Sequence, residues 1–207
     1  MLLYIIRHGQ STNNANLPRV VDPPLTPLGE EQSRRAAEAL QGIGLTALHA
    51  SPMRRALATA LPISETVGLP VRVTPDLCEE DGLGKHSGMT RAEIAAMMTA
   101  CEIPDSITEQ GWWFRQQEGP EQVAARAREV AANLQSLYLN NGSERVAVVT
   151  HGTFASYLIR AFIAVSHDNR FHFLHNNAGI SLIEFRPDYT FLRQLNRLDH
   201  LSPELVT

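Results

Sequence analysis

LLYIIRHG (residues 2–9) and RVAVVTHG (residues 145–152) share one form: a short apolar run that gives way at once to His-Gly. A continuous apolar stretch of this length reads as a strand buried on both faces, and the glycine after each histidine predicts a turn. His8 and His151 therefore fall where strands end. In open α/β sheets, ligands bind at the carboxyl ends of strands. Arg7 adds a permanent positive charge with a planar donor fork that matches phosphate oxygens. The helix-like turns that follow offer backbone N–H groups at their positive ends. The expected product is an anion site with a nucleophile inside it. A single histidine after a strand is more often a hydrogen-bonded structural residue. Two such pairs, one beside an arginine, move the reading toward chemistry.

The rest of the chain alternates strand and helix signals. LTPLGEEQSRRAAEALQGIG (25–44) carries a helical stripe through Leu28, Gln32, Ala36 and Leu40, with Thr26 as N-cap, Pro27 after it, and Gly42 and Gly44 at the end. LTALHAS (45–51) predicts a short strand. MRRALATALPISETVG (53–68) predicts a helix that Pro62 is placed to bend or divide. LPVRVTPDL (69–77) reads as extended, TRAEIAAMMTACE (90–102) as a helix, and EQVAARAREVAANLQSLYL (121–139) as a strongly amphipathic helix. FASYLIRAFIAV (154–165) predicts another helix. ISLIEF (180–185) and TFLRQL (190–195) are two strands joined by the turn RPDY. This order predicts an α/β fold: a three-layer α/β/α sandwich around a mostly parallel sheet. One domain over residues 1–207 is expected, with a helical insertion at about 85–120.

Composition removes several classes. With 43% hydrophobic and 19% charged residues over 207 positions, the chain has the balance of a soluble globular protein. A net charge of −4 argues against a nucleic-acid partner. No run reaches about eighteen apolar residues, and the amino-terminal run is too short for a signal peptide, so no membrane association is expected. Two cysteines, Cys78 and Cys101, form no framework, and a reducing cytoplasm fits best. Lys85 is the only lysine. GLGKHSG (82–88) looks like a phosphate loop, but His86 follows Lys85 and Glu79 stands where a Walker A motif requires glycine, which excludes a P-loop nucleotidase.

At this point a resemblance becomes specific. RHGQSTNN (7–14) resembles the R-H-G-[EQ]-[ST]-x-x-N signature of the histidine phosphatase superfamily, whose fold is phosphoglycerate mutase-like. LTPLGEEQS resembles that family's L-T-x-x-G-x-x-Q-[AS] helix start. SPMRRALATA resembles its S-P-x-x-R-A-x-x-T-A segment, which aligns the second arginine with Arg55 rather than Arg54. CEEDGLGKHSG resembles E-x-x-x-G-x-x-x-G and aligns the acidic residue with Glu80 rather than Glu79. EGPEQVAARAREV is similar to the G-E-S-x-x-x-x-x-x-R helix, through Gly119 and Arg126, and VVTHG matches the second histidine motif. The matches keep family order from Arg7 to about Ser181.

The resemblance implies a metal-independent phosphomonoester hydrolase with no cofactor. Phosphoryl transfer needs a nucleophile, neutralised oxygens and a proton for the leaving group. His8 would attack phosphorus. Arg7, Arg55 and His151 would hold the phosphoryl oxygens, and Glu80 would serve as general acid and then general base. Gln10, Asn14, Gly152 and Thr153 would contact substrate, a small-molecule phosphomonoester. The chain would act as a monomer or homodimer. A zinc site on His8, Glu80 and His151 has no short-spaced ligand pair to support it, and Arg7 would repel a cation. A cofactor-dependent phosphoglycerate mutase-type phosphotransferase is the alternative. A non-catalytic phosphate-binding module comes third, since the nucleophile and an acid are both retained. The sequence departs from the family after the glutamate, where Gly84-Lys85-His86-Ser87-Gly88 replaces Gly-x-Trp-Glu-Gly. GWWFRQQ, with Trp112, Trp113 and Phe114, would either wall the pocket or pack onto the core. His49, His167, His172, His175 and His200 have no motif assignment.

Overall fold

The alternation of apolar side chains along the strands builds two cores rather than one. In β1 (Leu2–Arg7), Leu3 and Ile5 point into one core and Tyr4 and Ile6 into the other, as the two-residue period of a strand requires. The structure, a computed structural model, describes residues 1–80, 83, 84, 86–113, 118–139, 142–166 and 171–207. Lys85, Phe114 and His167 lie outside the described residues.

After β1 come α1 (Pro27–Leu40), β2 (Ala47–Ala50), α2 (Arg54–Val67), β3 (Val71–Val73), α3 (Arg91–Met97) and β4 (Cys101–Glu102). Then follow α4 (Pro120–Tyr138), β5 (Arg145–Thr150), α5 (Gly152–Phe162), β6 (Ile180–Phe185) and β7 (Thr190–Arg197). The seven strands form one sheet in the order β4-β3-β2-β5-β1-β6-β7. The first five run parallel, and β6 lies antiparallel to both β1 and β7. Helices α1, α2 and α3 cover one face; α4 and α5 cover the other. The three-layer α/β/α sandwich with a mostly parallel sheet is therefore the architecture found.

Two local expectations change. Pro62 sits inside α2 without dividing it, and the helix runs on to Val67, closed by Gly68 in the left-handed region. The helix expected over 90–102 stops at Met97, and Cys101–Glu102 instead pair with β3 as β4.

The loop after β1 is pinned by α1. Thr26 caps that helix through Gly29 N–H (3.1 Å), and Gln32 Oε1 accepts from Gln10 N–H (2.7 Å). A Cβ on Gly29 would overlap the carbonyl of Gln10, and one on Gly9 the carbonyl of Gly29. The two backbones touch, and only glycine permits it. Gly29→Ala is expected to destabilise the protein by about 2–3 kcal/mol, because neither backbone can yield without moving His8. Urea unfolding would measure it, and an unchanged midpoint would contradict the close approach.

Candidate active site

β1 and β5 are neighbours in register, with Arg7 opposite Thr150. His8 and His151 thus leave adjacent strand ends, and His8 N–H extends the ladder to Thr150 O (2.9 Å). The helices that follow diverge, α1 to one face and α5 to the other, which opens a crevice at the strand ends. Both histidines are buried there, with ring centroids 5.1 Å apart.

His8 is held in one tautomer. Its Nδ1 lies 2.7 Å from Gly9 O, so Nδ1 carries the proton and donates to that carbonyl. Nε2 is left as the lone-pair nitrogen, and it accepts from Arg55 Nε–H at 3.0 Å. Asn177 Nδ2 donates to His8 O (3.0 Å). Burial, then the charges of Arg55 and Arg7, push the His8 imidazole well below its ordinary pKa, so the ring stays neutral. Burial, then Arg55 and His8, do the same at His151.

Arg55 stands in the first turn of α2 and is buried; Arg54 is exposed. Asp22 accepts from Arg54 N–H through both carboxylate oxygens (3.0 and 3.1 Å) and lies 3.6 Å from Arg55 Nη1. It supplies the cap that Met53 cannot and orients the guanidinium. Arg7 Nη1 donates to His175 O (2.6 Å). Arg7 Nε is buried without a partner among the described residues, as is His151 Nδ1, while His151 Nε2 meets Ser51 Oγ at 2.8 Å. A Cβ on Gly152 would stand 3.3 Å from Arg7 Nε, so the glycine lets the start of α5 approach the guanidinium. Arginine Nε is always a donor. With His8 Nε2 beside two guanidinium groups, the cluster can hold an oxyanion against a neutral nucleophile.

Glu79 stands at this cluster. It lines a cleft of about 240 Å³ with Arg7, Gly152, Thr153, Ser156 and His172, and its carboxylate accepts from Phe154 N–H (2.9 Å) and Thr153 N–H (3.3 Å) at the start of α5. Its charge acts on both Arg7 and Arg55. Glu80, the residue expected from the motif register, acts on the Tyr157 phenol. Arg126 holds the intervening backbone: Nη1 donates to Asp76 O (2.7 Å) and Cys78 O (3.0 Å), while Glu118 pairs with its Nη2 at 2.6 Å. The motif register pointed to Glu80 and gave no signal for Glu79; Asp22 and Asn177 carried none, and Ser51 entered the family match only as the first residue of SPMRRALATA.

The expected substrate contacts divide. Gly152 and Thr153 line the cleft. Gln10 Oε1 accepts from Thr26 Oγ1 (2.8 Å), and Asn14 Oδ1 accepts from Ser11 N–H (3.1 Å), Ser11 Oγ (2.9 Å) and Asn177 Nδ2 (3.3 Å), so both organise the loop. Trp112 and Trp113 are buried in the core on the α1–α3 face, where a Cβ on Gly88 would overlap Trp112 and Trp113 Nε1 donates to Gly84 O (3.0 Å). Neither lines the Arg7 cleft. A larger cavity of about 740 Å³, bordered by His49, Thr74, Trp112 and Leu137, touches none of the cluster.

Four buried histidines have consequences for acid stability. Burial lowers His49 and His175 to about 4, and His8 and His151 move in the same direction. Their unfolded forms take up protons first, so the stability they contribute is present above about pH 6.5 and is lost as pH falls toward 4. His49 and His175 should each forfeit on the order of 3 kcal/mol across that window. Urea titrations at pH 7 and 4.5 would register it, and equal midpoints would refute it.

The model of the histidine phosphatase superfamily (branch 1) matches residues 3–198. The glucosyl-3-phosphoglycerate phosphatase of Mycolicibacterium vanbaalenii is 31% identical, over 81% of this chain and 76% of that protein. Phosphoserine phosphatase 1 of Hydrogenobacter thermophilus is 25% identical over 97% and 94%. Among solved structures, the mycobacterial glucosyl-3-phosphoglycerate phosphatase complexed with VO3 superposes with a TM-score of 0.68 at 26% identity, covering 94% of this chain and 98% of that one.

Proposed function

Because the chain belongs to the histidine phosphatase superfamily, we propose that it is a phosphomonoester hydrolase that works through a phosphohistidine on His8. The observation that carries this reading is the state of His8: neutral, with Nδ1–H fixed on Gly9 O and the Nε2 lone pair facing Arg55. In the first step Nε2 attacks phosphorus, the bond from phosphorus to the alcohol oxygen breaks, and Glu79, entering the step as the carboxylic acid after taking a proton from the monoanionic ester, gives that proton to the departing oxygen. Arg55 Nε–H passes from His8 to a phosphoryl oxygen, and Arg7 and His151 hold the others. In the second step Glu79 takes a proton from water, the water oxygen attacks phosphorus, and the bond to Nε2 breaks. Phosphate leaves and both side chains return to their starting protonation. Two guanidinium groups supply the positive charge that a metal provides elsewhere. The role that the motif register gave to Glu80 passes to Glu79 on the strength of its position.

The substrate class is a small-molecule phosphomonoester, bound with Gly152 and Thr153 at its phosphoryl end. Cys78 and Cys101 form no disulfide among the described residues, in keeping with a cytoplasmic setting, and among the described residues no helix is long and apolar enough to cross a membrane. Hydrolysis of p-nitrophenyl phosphate from pH 4 to 8 with EDTA present tests the reading. Metal-independent turnover with an acid-labile, base-stable phosphoenzyme trapped on quenching is expected. A folded protein that neither turns over nor labels would remove hydrolysis and leave a mutase-type transfer, tested next with phosphoglycerate.

A further inference from the structure

Beyond the His8 cluster, α5 carries a second arginine-lined cleft. Its volume is about 400 Å³, and Tyr157, Arg160 and Ala161 of α5 face Ala124 and Arg128 of α4 across it. Arg160 lies roughly 10 Å along the helix from Thr153, at 1.5 Å per residue. Arg160 is 2% exposed, and its Nε and Nη2 are buried without a hydrogen-bond partner among the described residues. Its one described neighbour of note is the Tyr157 ring, 5.7 Å away. Arg128, exposed on α4, adds a second positive charge to the same cleft. No carboxylate of the described residues pairs with either arginine.

Burying guanidinium donors without an acceptor is among the costliest arrangements in a protein interior. A basic residue in the last turn of a helix ordinarily serves the negative end of that helix. Here the carbonyls of Ile159 and Arg160 are taken by the N–H groups of Ile163 and Val165, both at 3.0 Å, and Arg160 Nε and Nη2 reach neither. A planar fork of unmet donors, a second arginine and an open cleft together match an oxyanion. We propose that this cleft is a second anion site, separate from the His8 cluster, that takes a phosphate-sized oxyanion.

Equilibrium dialysis of the full chain against labelled inorganic phosphate tests it. Two phosphates per chain are expected for the wild type, one for Arg160→Met and one for Arg7→Met. Arg160→Met should hydrolyse p-nitrophenyl phosphate within about twofold of wild type. Arg128→Gln, on the surface, should weaken the second site about threefold to tenfold. A single phosphate that Arg160→Met retains would overturn the proposal. A single phosphate lost in Arg160→Met and kept in Arg7→Met would support it and count against the catalytic reading instead. Should Arg160→Met fail to fold, unchanged binding of two phosphates by Arg128→Gln would overturn it.

Discussion

His8→Ala is expected to lower turnover of aryl phosphates by about 10⁴-fold or more and to abolish the trapped phosphoenzyme, since removing the nucleophile of a covalent mechanism takes away both steps at once. The loss should fall on kcat. Arg7 and Arg55 remain to bind the phosphoryl group, and the neutral His8 contributes little charge to that binding. Phosphate affinity in the variant should therefore stay within about tenfold of wild type. The substitution also leaves a hollow beside Arg55 Nε, which His8 Nε2 otherwise accepts from. Added imidazole should restore part of the turnover by occupying it. Circular dichroism would establish that the variant is folded. A folded His8→Ala protein with wild-type turnover, or one that still labels, would end the phosphohistidine reading.

The second large effect separates the two glutamates. Glu79→Gln is expected to reduce kcat for alkyl phosphates by about 10²–10⁴-fold, the usual span for loss of a general acid. For p-nitrophenyl phosphate, whose leaving group needs no proton, the first step should suffer far less, and phosphoenzyme should accumulate because water is no longer activated. Glutamine keeps one oxygen, which can accept from Phe154 N–H as Glu79 does, while Thr153 N–H loses its longer bond, so the start of α5 stays partly capped. Glu80→Gln should leave kcat within about threefold, since the carboxylate whose charge acts on Arg7 and Arg55 is that of Glu79, while Glu80 acts on Tyr157. The opposite ranking would return the acid to Glu80.

These two predictions rest on different grades of legibility. His8, Arg7 and His151 could be read from the chain because the signal was local: an apolar run, then His-Gly, twice. Strand ends in a parallel sheet gather whatever follows them. The α1 start was equally local, since Thr26, Gly29 and Gln32 act within one turn and on Gln10. Arg55 needed the family register to choose it over Arg54, and the helical phase of α2 buries Arg55 and exposes Arg54.

What the sequence by itself determined was the alternation of elements, the sheet type and the meeting of two histidines and an arginine at one rim. Only the tertiary structure brings Glu79 to the N–H groups at the start of α5. The place of that glutamate is set by Arg126 of α4, which holds the Asp76 and Cys78 carbonyls just before it, and by the N–H groups of α5, both distant in the chain. It likewise turned Cys101–Glu102 into a strand by pairing with β3 and sent the tryptophans to the core against Gly88 and Gly84. Local pattern fixes which face of an element is apolar; what that face meets depends on contacts that close only when the whole chain has folded.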